Sequence, residues 1–132
     1  MANAIYPKFK EAVIQAAANS SLAGTVKIAL VDTGVYVYSA THEFLTSLTG
    51  RINTDQTLGT KTYVNGVFDA ADPTWTAVTG VTVEALVIYI DTGVAGTSRL
   101  VAYIDTGVTN LPVTPNGGNI SVVFDAAGIF TI

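Results

Sequence analysis

Six consecutive apolar residues, Ala85-Leu86-Val87-Ile88-Tyr89-Ile90, stop abruptly at Asp91. A run of that length is strand-sized, far short of the roughly 18 apolar residues that cross a bilayer. Successive side chains point to opposite faces of a strand, so Leu86, Ile88 and Ile90 share one face and Ala85, Val87 and Tyr89 the other. Neither face suits water. Such a strand must lie between two layers of its own domain or against another subunit.

The rest of the chain favours the same kind of structure, because its 19 threonines and 17 valines fit a pleated, half-buried surface better than a helix. A length of 132 residues holds one domain. The hydrophobic fraction is 49%, only 12% of residues are charged and mean hydropathy is +0.46, which excludes an intrinsically disordered chain. With so little charge, some apolar surface is expected to be covered by partners.

Val26, Ile28 and Leu30 alternate with Thr25, Lys27 and Ala29, the period of a half-buried strand. Further strands are expected over 75–78, 81–90, 99–104, 120–124 and 129–132. Asn65-Gly66, set between Lys61-Thr62-Tyr63-Val64 and Val67-Phe68, predicts a hairpin through a type I′ turn, which needs positive φ at both central residues. Before the strands, Pro7 suits a first helical turn, and Phe9, Val13 and Ala17 recur on one face, predicting a helix over 7–18. A second short helix is expected around His42-Glu43-Phe44-Leu45-Thr46-Ser47-Leu48. The expected fold is mainly β (α+β): an antiparallel β-sandwich or partly open barrel with one N-terminal α-helix and a short second helix. Residues 1–6 form an extended N-terminal arm and 7–132 a single β-rich domain.

Asp-Thr-Gly occurs three times behind apolar residues, at Asp32, Asp91 and Asp105, and Val-Phe-Asp-Ala-Ala occurs at 67–71 and 123–127. Aspartic proteases carry their catalytic aspartate in Asp-Thr-Gly, and Asp32 with Asp91 would be an internal pair. A third copy has no place in that mechanism, and the same tripeptide is ordinary turn chemistry, aspartate bonding the backbone two residues on and glycine taking positive φ. His42 lacks a second histidine or any cysteine with which to hold a metal. Asp69, Asp72, Asp91, Asp105 and Asp125 could be imagined as calcium ligands, but without the spacing of a known loop. Trp75, Tyr36, Tyr38, Tyr63, Tyr89 and Tyr103 could form a sugar platform, which would make the chain a receptor- or carbohydrate-binding module, or simply pack. No phosphate loop, dinucleotide fingerprint or secretory signal is visible, and the six basic residues are scattered on a chain of net charge -4. No catalytic residue, cofactor, metal, nucleic acid or membrane partner is therefore expected.

The ordered series Tyr6-Pro7-Lys8-Phe9, Tyr38-Ser39-Ala40-Thr41-His42-Glu43-Phe44-Leu45, Gly66-Val67-Phe68-Asp69-Ala70-Ala71-Asp72, Thr97-Ser98-Arg99-Leu100-Val101-Ala102-Tyr103-Ile104-Asp105 and Leu111-Pro112-Val113-Thr114-Pro115 resembles a family of small virion structural proteins of tailed bacteriophages. The segment 49–57 departs from it in lacking a Pro-Ala-rich stretch. The resemblance implies a many-copy, non-enzymatic component of the virion, made in the host cytoplasm: a capsid decoration or cement protein, or else a neck or tail part. Its partners would be the major capsid protein or other virion subunits, together with copies of itself. On this reading Ile5, Tyr6, Phe9, Leu86, Ile88 and Tyr89 are the candidate subunit contacts, with the arm adding a strand to a neighbour.

Overall fold

The structure, a computed structural model, describes residues 3–132. It is mainly β, with antiparallel sheets, one α-helix and isolated 3-10 turns, and no closed barrel among the described residues. The strands in chain order are β1 (Ala4–Ile5), β2 (Val26–Val31), β3 (Arg51–Thr57), β4 (Val67–Phe68), β5 (Thr74–Trp75), β6 (Ala85–Ile90), β7 (Arg99–Ile104), β8 (Ile120–Ser121) and β9 (Phe130–Thr131). Five of them make one sheet in the order β1-β7-β6-β2-β3, while β4 pairs with β9 and β5 with β8 as two-residue ribbons.

The run 85–90 is the middle strand of the five, and every one of its residues is buried. Register explains why both faces are apolar. Ile28, Ile88, Ala102 and Ile5 line up across four strands on one face, and Ala29, Val87, Tyr103 and Ala4 on the other. The first face is met by the β4–β9 ribbon, since Ile5, Ala102 and Ile104 line a shallow pocket with Ile129 and Phe130. The second is met by Tyr36 and Tyr38, whose rings lie 6.5 and 5.5 Å from that of Tyr103.

The outer edge of β7 is fully occupied by this chain. The Tyr6 amide donates to the Val101 carbonyl at 3.0 Å, and further along, Leu100 donates to Glu43 and Leu45 to Ser98. The N-terminal arm is therefore used inside the protomer: residues 4 and 5 pair with β7 and Tyr6 is fully buried, while residues 1 and 2 lie outside the described residues. An edge closed in this way offers no ladder to a neighbour.

The helix α1 (Pro7–Ile14) is shorter than the expected 7–18, because Ala16 enters the left-handed region at φ 52 and Ala17 bonds back to Ala12, ending the helix. Its buried face is Phe9 and Ala12, while Val13 is 41% exposed. The second helix shrinks to a 3-10 turn (Leu45–Ser47). Phe44 is drawn out along β7 at φ -122, ψ 164 opposite Arg99, whose guanidinium sits 5.0 Å from the Phe44 ring centre and donates to the Ala18 carbonyl at 2.9 Å. Pairing with the sheet overrides local helix preference there. Asn65 and Gly66 both take positive φ, 56 and 77, as the hairpin reading requires. The flanking pairing differs: Thr62 meets Asp69, and Val67 and Phe68 pair with the C-terminal β9 instead of with 61–64.

Candidate functional site

Antiparallel register gathers three chain segments at one end of the sheet. Val31 pairs with Ala85 and Leu86 with Ile104, so the exit of β2, the approach to β6 and the exit of β7 lie side by side. A turn at Asp32, with Val35 and Tyr36 donating to its carbonyl at 3.1 and 3.0 Å, folds the following chain back over the sheet. The result is an open cleft of about 610 Å³, lined among others by Tyr36, Tyr38 and Tyr103, by Glu84 and Asp105, and by Thr33.

Hydroxyls beneath the cleft form a chain. Tyr6 and Tyr36 share a hydrogen bond of 2.7 Å, and the Tyr36 hydroxyl lies 2.8 Å from Nδ1 of His42. Burial drives the phenols up: Tyr6 far above its ordinary value, through desolvation and then its bond to Tyr36, and Tyr36 and Tyr38 upward through desolvation. Tyr103 is pushed up to about 12 by burial and then by the Asp105 carboxylate, with Glu84 adding to the effect. A phenol next to two carboxylates resists ionising because a further negative charge would be repelled. The Glu84 carboxylate is itself positioned, accepting the Thr33 amide at 3.3 Å.

A second feature lies on the far flank of α1. Phe9, Val13, Leu22, Ala23, Tyr63 and Ile132 line an apolar groove of about 300 Å³, with Val13, Tyr63 and Ile132 41%, 46% and 54% exposed. Ile14 beside it is 85% exposed.

Of the candidate subunit contacts, Tyr6, Phe9, Leu86, Ile88 and Tyr89 are all buried in the core of this chain, and Ile5 is half-buried on the β1 edge. Their apolar surface is consumed within the protomer, because the sheet is covered on both sides by its own loops and ribbons. Trp75 is also fully buried, and Tyr89 lies apart from the cleft with its hydroxyl donating to Asp55 at 2.5 Å, so neither belongs to a sugar platform. Tyr36, Tyr38 and Tyr103 do converge.

The two Asp-Thr-Gly copies that would make the internal pair separate, while Asp32 and Asp105 end strands on either side of β6 at the same end of the sheet. Asp32 follows Val31 at one end of β2, whereas Asp91 follows Ile90, the partner of Val26 at the other end. A six-residue strand of about 3.3 Å per residue stands between them, so they form no carboxylate pair. Asp32 and Asp91 instead accept the amides of Gly34 and Gly93 at 2.8 and 3.0 Å, and the third turn is held by Asn3, whose Oδ1 accepts the amides of Asp105 and Thr106. Asp72 and Asp125 likewise bond backbone amides, of Phe124 and Ala127. Among the described residues no three His, Cys, Asp or Glu side chains gather as a metal site. Glu84, Thr33 and Pro112 carry no sequence pattern that marks them as cleft residues. The signal in the sequence is the repeat of Asp-Thr-Gly itself, and the strand order that brings two of those turns to either side of β6 comes from the structure.

No protein-family model matches this chain, and no curated protein sequence matches it.

Proposed function

We propose that the chain is a non-enzymatic structural component of a tailed-bacteriophage particle, a decoration protein bound to the capsid through an apolar surface. The observation that carries this reading is the groove on the α1 flank, where Val13, Tyr63 and Ile132 expose apolar side chains on a chain with few charges to keep neighbours off. Burial of such a patch against a subunit lattice is favourable, and many symmetric copies make modest individual contacts sufficient. The partner surface is then the major capsid protein. A neck or tail subunit is the alternative partner, and the particle rather than the free chain is the working form.

The test is immunogold electron microscopy of purified particles with antibody against this chain, repeated with Val13→Asp in the groove. Regular label over heads, lost in Val13→Asp with the circular dichroism spectrum unchanged, is the expected result. Label confined to the neck or tail would transfer the role to a connector. Absence of label on particles would overturn the proposal.

A further inference from the structure

The cleft at the strand ends combines aromatic rings with carboxylates, which attachment through the α1 groove does not use. Three tyrosines line it, but they are unequal: Tyr36 and Tyr103 are only 2% and 3% exposed, whereas Tyr38 is partly exposed. One open ring is a poor platform for a run of sugars, each of which needs a broad apolar face. It is enough for a planar cation. A guanidinium stacks on a single ring and at the same time donates paired N–H groups to a carboxylate.

The polar lining has the matching sign. Glu84 and Asp105 both line the cleft, and no Lys, Arg or His does among the described residues. The Thr33 amide donates to Glu84 at 3.3 Å, and the Asp105 carboxylate is hydrogen-bonded to the Tyr103 hydroxyl, so both carboxylates are engaged by this chain's own groups before any ligand arrives. A carboxylate oxygen that already accepts one bond still has acceptor capacity for a guanidinium. A volume of about 610 Å³ also fits an arginine side chain with its flanking backbone.

We propose that this cleft binds an arginine side chain of a protein partner, its guanidinium over the Tyr38 ring and against the Glu84 and Asp105 carboxylates. The proposal stands apart from the virion reading, since it concerns the chemistry of the ligand rather than the particle that supplies it.

The test is an NMR titration of the full chain with acetyl-Gly-Arg-Gly-amide, set against the same peptide carrying citrulline and against methyl glucoside. The arginine peptide should shift resonances of Tyr38, Glu84, Asp105 and Thr106, less at higher salt, and about tenfold more weakly in Tyr38→Ala and in Glu84→Gln. Glutamine keeps a carbonyl for the Thr33 amide, so spectra outside the cleft should be unchanged in that variant. Equal binding of the citrulline peptide, shifts at these residues with the glucoside alone, or no shift with millimolar arginine peptide would each overturn the assignment. None of these outcomes bears on the α1 groove, which the particle experiment reads through Val13→Asp.

Discussion

The three central strands bury nearly every residue, whereas the two ribbons bury a few large side chains, and they do so by different means. Strands β2, β6 and β7 pair over most of their length, with one register shift between Ile88 and Tyr89. The ribbons β4–β9 and β5–β8 pair over two residues each, yet Trp75 is fully buried, Phe68 is 2% exposed and Ile120 5%. Much of the cover over the doubly apolar sheet is thus irregular chain pinned by large side chains, with few ladder bonds of its own. A strand that is apolar on both faces does not require a second regular sheet; it requires enough well-packed residues on each side.

Removing a pin from a ribbon should hurt most. Trp75→Ala is expected to cost about 3–5 kcal/mol in denaturant unfolding, the range for truncating a buried aromatic. A loss under about 1 kcal/mol would break the comparison, since the ribbons would then be dispensable cover. The alkaline limit sharpens the other side, because Tyr103 sits on the central sheet. Its phenol ionises near 10 when unfolded and near 12 when folded, so its contribution is complete below pH 10 and is lost as pH rises toward 12. The loss is about 2–3 kcal/mol, so alkaline unfolding followed by circular dichroism should set in at higher pH in Tyr103→Phe than in the parent. An unchanged alkaline transition in that variant would contradict the burial. The smallest effect belongs to the surface: Lys8 and Glu11 approach to 3.3 Å on the exposed side of α1, and Lys8→Ala should move stability by no more than about 0.5 kcal/mol.

Legibility in the sequence follows the same division. Alternation and apolar runs mark 26–30 and 81–90 as strand; β2 occupies the first, β6 only 85–90 of the second, and 99–104 matches β7 residue for residue. Strand β3 carries no such mark, since Arg51, Asn53, Asp55 and Gln56 are not typical sheet residues; it is an edge strand kinked where Asn53 takes φ 62. The segment 43–45 looked helical and became extended because the β7 edge offered it hydrogen bonds, a choice made by distant residues. Apolar excess was visible, but its destination was not: no local pattern tells whether Leu86 and Ile88 meet another subunit or the chain's own ribbons. In the cleft, each tyrosine was noticed separately, and the register that joins Tyr36, Tyr38 and Tyr103 depends on pairing across the sheet.

The pairing of Ala4 with Tyr103 has a consequence for how the molecule is made. β1 can dock only after β7 has emerged, some hundred residues later, so the sheet is built from its β3 edge across to its β1 edge, and β1 joins after the strands that follow it in the chain. Contacts that distant in sequence slow folding, because a long loop must be closed before they contribute. Throughout synthesis of the intervening chain the apolar strands β2 and β6 are without their final cover, and the nascent protein is at its most vulnerable to association with other copies before that cover is in place.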